Sequence, residues 1–252
     1  MRESSVALPC WRGKPVRVAA VSDLHVGSPH TDLRKLDQVV EAINAGRPEV
    51  VVLLGDYVVQ GVVGGRFVSP EQIAERLKKL RAPLGVYAVL GNHDWWLDAP
   101  RVERALRSAG IVVVDDTALP LRRENETFWI VGVSDYWEGP HDVRQALSGV
   151  VGDAPALLIT HNPDIFPEIP ARVCLTIAGH THGGQVALPV IGRPIVPSRY
   201  GERYAVGQIT EHGSQLFVTS GVGTSILPIR FRVPPEVVFL NIHAPGIVMT
   251  GQ

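Results

Sequence analysis

The sequence predicts an α/β fold of four layers, α/β/β/α, in which two mixed β-sheets stack face to face and are flanked by helices. Two observations carry this expectation. The first half alternates apolar runs with amphipathic stretches, the pattern of parallel strands joined through helices. The second half holds short apolar runs with few helices between them, the pattern of a second, mixed or antiparallel sheet. No linker divides the two halves, so residues 1–252 read as a single domain.

The elements follow in order. Strand runs at 16–21, 50–54 and 86–90 alternate with helical stretches at 32–45, 70–80 and 100–109. Thr31 or Asp32 can cap the first helix, Ser69-Pro70-Glu71 supplies an N-cap, a first-turn proline and an acid for the second, and Asp98-Ala99-Pro100 opens the third. Further strands are expected at 128–133, 156–160, 173–178, 203–208, 215–219 and 237–242. Gly 25 and Pro 20 point to a chain rich in loops and turns.

Charge narrows the partners. Lys+Arg 24 against Asp+Glu 25 leaves a net charge of -1, and no basic run exceeds two residues, so a nucleic-acid polymer is not an expected partner. No stretch of about 18 apolar residues occurs, and residues 1–11 have no signal-peptide pattern. The expectation is a soluble, cytoplasmic protein with no transmembrane segment, peripheral membrane contact remaining open and oligomeric state unassigned. Cys10 and Cys174 form no C-x-x-C pair, and Cys174 reads as a small buried hydrophobe.

The chemistry lies in the loops. Of nine histidines, five (His25, His93, His161, His180 and His182) directly follow expected strands. The loops read Ser22-Asp23-Leu24-His25, Gly55-Asp56-Tyr57, Gly91-Asn92-His93-Asp94, Thr160-His161-Asn162 and Gly179-His180-Thr181-His182. Ligands of open α/β sheets bind beyond the carboxyl ends of the strands, so these loops converge on one edge. Spacing by two lets Asp23 with His25, and His180 with His182, face one site along an extended segment. Glycines 55, 91 and 179 let the chain turn there without crowding.

Asp23, His25, Asp56, Asn92, His161, His180 and His182 make seven ligand-type groups, where one tetrahedral ion needs four. Seven suit two ions sharing a carboxylate. Imidazole and carboxylate donors without thiolate fit Mn, Fe, Zn, Co or Ni better than Ca or Cu(I), with Mn, Fe or Zn the expected ions. Two such ions can hold a hydroxide between them and clamp a phosphoryl centre, which points to phosphoester hydrolysis. Neutral imidazole ligands imply that activity falls as pH drops through roughly 6.

In order and spacing, the five loops resemble the D-x-H, G-D, G-N-H-[DE], H and G-H-x-H blocks of the calcineurin-like metallophosphoesterase superfamily, from about residue 18 to 182. The resemblance implies that Asp23, His25, Asp56 and His182 hold one ion, that Asp56 bridges, and that Asn92, His161 and His180 complete the second. It implies that His93 is catalytic, assisting the leaving oxygen, with Asp94 orienting its imidazole. Segments 182–185, 198–202 and 221–225 look like the bacterial phosphodiesterase branch, which includes lipid-pathway relatives. Val59 departs from that superfamily's broader G-D-x-x-D form.

The expected activity is hydrolysis of a phosphodiester or pyrophosphate bond in a small-molecule or lipid-linked substrate. A non-catalytic scaffold of the same fold would show eroded ligands, and none is missing. A metal-dependent amide hydrolase would explain the His and Asp but not Asn92 with His93. Trp95, Trp96, Tyr136 and Trp137 either wall a leaving group or pack loops, and Arg199 and Arg230 either bind phosphate or, more commonly, brace carbonyls. His30, His141, His212 and His243 read as exposed or structural.

Overall fold

A computed structural model describes residues 1–246. Its first sheet is built from β1 (Arg2–Ala7), β2 (Val16–Val21), β3 (Val50–Leu53), β4 (Val86–Ala88) and β5 (Val112–Val113). Helices α1 (Leu33–Ala45), α2 (Pro70–Leu77) and α3 (Asn92–Ser108) cross between these strands. The second sheet holds β6 (Thr117–Arg123), β7 (Glu126–Val133), β8 (Ala156–Thr160), β9 (Leu175–Ala178), β10 (Gly207–Glu211) and β11 (Ser214–Val218), with α4 (Val143–Ser148) on its outer side. The last strand, β12 (Val238–His243), returns to the first sheet. Strand orders are β1-β12-β2-β3-β4-β5 and β10-β11-β9-β8-β7-β6.

The expected four layers are present, and alternation along the strands builds them. In β2, Val18 and Ala20 face the second sheet and join Leu157, Ile159, Ile177 and Phe217 in the inter-sheet core. Ala19 and Val21 point the other way, onto Leu36, Ile43 and Val102 of the helices. The second sheet covers its outer face with Ala146 and Ile165 against Val131 and Leu158. Each wholly buried Val, Leu or Ile contributes about 1.5–3 kcal/mol. Two stacked layers of them hold the strand ends in fixed register.

Helix starts follow the expected chemistry. Asp32 accepts from the Lys35 N–H at 2.7 Å, and Ser69 and Gln72 form a reciprocal capping box ahead of Pro70. Asp98 accepts from the Arg101 N–H at 3.0 Å, as an opening cap should. However, helical turns begin earlier, at Asn92, and extended backbone at Asp98 kinks the element in two.

Four expectations need correction. Strand β1 was not expected; its polar run holds only Val6 buried, and its partner β12 lies over two hundred residues away. Strand β6 was also missed, because Pro120 argues against a strand except at an edge, where β6 lies. The strand expected at 203–208 begins instead at Gly207, after a short 3-10 turn over Gly201–Tyr204. Cys174 is buried but not unpaired: it is bridged to Cys10, with Cα atoms 5.8 Å apart. Among the described residues no helix is long and apolar enough to cross a membrane.

Candidate metal centre

Five strands deliver the polar loops to one edge. β2, β3 and β4 run parallel in the first sheet, as do β8 and β9 in the second, so their carboxyl ends meet. The loops are stitched together there. The Asp23 N–H donates to the Gly55 carbonyl at 3.0 Å, and the Gly179 N–H to that of His161 at 2.9 Å. Of the seven expected ligands, Asp23, His25, Asp56, His180 and His182 take positive φ, which turns their side chains inward at a cost in backbone strain. The pairs at spacing two are therefore not extended, contrary to expectation. Asp23 and His25 still share a ligand group, while His180 and His182 fall into different ones.

Two groups result. Ligand atoms of Asp23, His25, Asp56 and His182 lie within 4.8 Å of one another, as do those of Asp56, His161 and His180, all buried. Asp56 belongs to both. Its Oδ1 accepts the His93 backbone N–H at 2.9 Å, leaving Oδ2 3.4 Å from both His25 Nε2 and His161 Nε2. Asp23 is divided likewise: Oδ2 accepts the His180 N–H at 3.1 Å, and Oδ1, 3.4 Å from His182 Nε2, has no hydrogen-bond partner.

This arrangement fits metal ions. His25 Nε2 faces His182 Nε2 at 3.2 Å, and His161 Nε2 faces His180 Nδ1 at 3.1 Å. Two nitrogens about 2.0–2.1 Å from one tetrahedral ion stand about 3.3–3.4 Å apart, close to these spacings. Behind them, the opposite nitrogens are fixed: His25 Nδ1 lies 3.2 Å from the Val58 carbonyl and His161 Nδ1 2.7 Å from that of Leu54. A carbonyl only accepts, so each Nδ1 carries a proton, which leaves Nε2 as the ligand atom of the neutral ring. Asn92 Oδ1 and His180 Nε2 are also buried without partners.

The metal-free electrostatics follow from burial and the shared carboxylate. Burial resists charge at Asp56, but His161 beside it holds its carboxyl well below the usual range. Burial likewise opposes a charged His161, yet Asp56 lifts it to about 10. Burial raises Asp23 to about 6, lowers His25 to about 4, and drives His180 and His182 well down. In effect one imidazolium substitutes for the missing positive charge.

His93 and Asp94 lie beside the groups, but not as expected. His93 Nε2 is 4.0 Å from Asp56 Oδ2, burial lowers its pKa, and its Nδ1 has no partner. No hydrogen bond joins it to Asp94 among the described residues. Asp94 instead accepts backbone N–H groups of Asp56 at 2.8 Å, Gly91 at 2.9 Å and Tyr57 at 3.0 Å. Its position at the start of α3 turns it toward the loop after β3, so it shapes the backbone that carries Asp56. Gly91 is required by the same crowding, since a Cβ there would meet the Asp56 backbone nitrogen at 2.6 Å.

Above the groups opens a cavity of about 360 Å³ lined by Asp56, Asn92, His93, Trp96, Trp137 and Ile195 among others. The aromatic residues divide. Trp96 and Trp137 wall the cavity, their rings 4.7 Å from His93 and 4.3 Å from His180, and Trp96 Nε1 donates to Glu138 across the gap at 2.8 Å. Trp95 packs on the helical core, and Tyr136 lies under Arg199, which donates to its hydroxyl at 2.9 Å. Arg230 braces carbonyls of Ser220 at 2.8 Å and Gly223 at 2.6 Å. His243, buried against Ser5 Oγ at 2.7 Å, is structural.

Two contributors lie in segments that the sequence singles out by resemblance without assigning them a role. Gln185 fastens two loops of the rim, donating to Ser225 O at 3.0 Å while accepting the Ser225 N–H at 2.7 Å. Gly221, at φ +68, passes so close to Asp23 that a Cβ would lie 2.7 Å from the Asp23 Cβ. The resemblance marks both segments, but neither role follows from local pattern, because both depend on loops folded from distant sequence.

Residues 16–184 match the profile of the calcineurin-like phosphoesterases. The chain is similar to the phosphodiesterase YaeI of Escherichia coli, 29% identical over 90% of this chain and 82% of that protein. It is similar to the uncharacterized metallophosphoesterase YkuE of Bacillus subtilis at 28%, covering 90% and 79%. The UDP-2,3-diacylglucosamine pyrophosphatase LpxG of Chlamydia trachomatis is 25% identical, covering 90% and 83%. Among solved structures, the NAD nucleotidase of Haemophilus influenzae superposes with a TM-score of 0.51 at 14% identity; the match covers 82% of this chain and 45% of that one, and bears on fold alone.

Proposed function

The chain belongs to the calcineurin-like phosphoesterase family, and we propose that it is a dinuclear metal-dependent hydrolase of phosphodiester or pyrophosphate bonds. The observation that carries this is Asp56 Oδ2, equidistant at 3.4 Å from an imidazole nitrogen of each ligand group. Asp23, His25, Asp56 and His182 would hold one ion, and Asn92, His161 and His180 would hold the second with Asp56 between them. Ions of the Mn, Fe or Zn type would supply a hydrolytic nucleophile at neutral pH and neutralise charge on the phosphoryl oxygens.

The chain's own residues do the rest. His93, neutral at physiological pH because burial lowers its pKa, donates an N–H to the oxygen on which charge develops. Asp94 keeps the Asp56 turn in place. Trp96 and Trp137 exclude water and offer apolar faces to an organic substituent. No Lys or Arg lines the cavity among the described residues, so no side-chain cation adds to the metal ions to match the extra charge of a phosphate monoester. A diester or pyrophosphate carrying organic groups on both sides, small or lipid-linked, fits this lining better.

The test is a substrate panel on Mn²⁺-loaded protein: bis(p-nitrophenyl) phosphate, p-nitrophenyl phosphate, and a nucleotide-sugar pyrophosphate. The proposal expects kcat/KM for the diester or the pyrophosphate to exceed that for the monoester. Preference for the monoester would overturn the substrate assignment. Hydrolysis of simple amides instead would overturn the reaction class.

A further inference from the structure

We propose that the loops around the cavity mouth form a docking surface for an anionic lipid bilayer. Three segments, 57–69, 183–200 and 219–235, make the rim together with Trp96 and Trp137, and each segment holds large apolar side chains in solvent. Val63 and Phe67 are 61% and 59% exposed on the first. Val190 is fully exposed, and Ile191 and Ile195 are 69% and 74% exposed, on the second; Ile226 and Ile229 are 68% and 55% exposed on the third.

The segments form one continuous face. The Val63 N–H donates to the Ile226 carbonyl at 2.9 Å, and the Ala187 N–H to that of Phe231 at 2.9 Å. Val190 sits at the tip of a tight hairpin closed between Leu188 and Gly192, with φ +69, a conformation a β-branched residue rarely adopts. Ile226 takes φ +60 beside the cavity it helps line. Strained backbone thus holds aliphatic side chains outward at the entrance to the metal centre.

Charge selects the occupant. The three segments hold five arginines and no aspartate or glutamate, in a chain of net charge -1. Arg193, Arg199 and Arg230 have partners within the fold. Arg66 and Arg232 are exposed at the edge of the apolar face, with no carboxylate partner among the described residues. The carboxylates nearest this face are engaged, Glu202 by Arg193 and Glu138 by Trp96. Among the described residues the free charges beside the aliphatic tips are thus Arg66 and Arg232, which match phosphate headgroups above acyl chains. A bilayer seated on this face would put headgroup phosphoesters at the cavity mouth.

Co-sedimentation of the full chain with vesicles tests this, comparing phosphatidylcholine alone with equimolar phosphatidylcholine and phosphatidylglycerol. Each exposed arginine is worth about fivefold in partitioning to an anionic surface, so the mixed vesicles should bind tenfold or more tightly, and less so as salt rises. Arg232→Gln should lower that preference about fivefold. A triple variant, Val190→Ser, Ile191→Ser and Ile229→Ser, should lose about tenfold or more in binding to either vesicle. Both should hydrolyse soluble bis(p-nitrophenyl) phosphate like the parent.

Absence of partitioning, or equal partitioning by parent and variants, overturns the proposal. Self-association that disappears in the triple variant, without vesicle binding, assigns the face to a second copy and overturns it too. Binding is read without turnover, so failure of this surface and failure of the proposed hydrolysis are separate results.

Discussion

Loading the metal-free protein with Mn²⁺ should release protons in a number that depends on pH. Ligation needs a neutral imidazole and an ionised carboxylate. Burial opposes a charged His161, but Asp56 holds its proton up to about 10, so the metal must displace that proton throughout the neutral range. Burial raises Asp23 to about 6. Near pH 8 Asp23 is already ionised, whereas near pH 5 it also carries a proton. The same loading should therefore release about one more proton near pH 5 than near pH 8.

The sign follows directly: protons compete with metal, so affinity weakens as pH falls, with an extra factor of about ten per unit below about 6. Burial holds His25 near 4 and pushes His180 and His182 well below the usual imidazole range, so it is Asp23 that takes up the proton near pH 6. The fall in activity expected near pH 6 thus belongs to Asp23 rather than to the imidazoles. Calorimetric titration in buffers of different ionisation enthalpy counts the protons. Asp23→Asn should abolish the extra proton. The reasoning is refuted if the count is independent of pH in the parent, or if the variant retains the pH-dependent difference.

Two further predictions separate the residues after β4. His93→Ala should keep both ions and the fold while kcat falls about 10²–10⁴-fold, measured on a chromogenic diester; parental turnover would remove its catalytic role. Asp94→Asn turns an amide N–H toward backbone N–H groups that now donate to a carboxylate, costing about 2–4 kcal/mol. Its melting temperature should drop by about 5–10 °C and its metal affinity should weaken. A loss of kcat alone, with both unchanged, would instead mean that Asp94 acts through His93.

The residues that announce the site do so by chemical type. Carboxylates and imidazoles placed directly after Val-rich strands have few structural uses in such density, so Asp23, His25, Asp56, His161, His180 and His182 stood out. The interior strands were legible for a related reason: β3 is apolar and buried on both faces throughout, and β2 is so except at Arg17. What stayed hidden depends on partners distant in sequence. β1 gains its identity from β12 and Cys10 from Cys174, 164 residues apart. Asp94 looked like a partner for the adjacent imidazole, but the helix that begins at Asn92 turns it toward the loop after β3, a direction no local pattern records.

The central claim is that one carboxylate joins two metal sites. Metal content per chain, measured on protein stripped and reloaded with Mn²⁺ alongside hydrolysis of bis(p-nitrophenyl) phosphate, tests it most directly. The account predicts about two ions per chain with turnover restored, and loss of both ions and all turnover in Asp56→Asn. A single ion supporting full turnover, or an Asp56→Asn variant that still binds two, would contradict it.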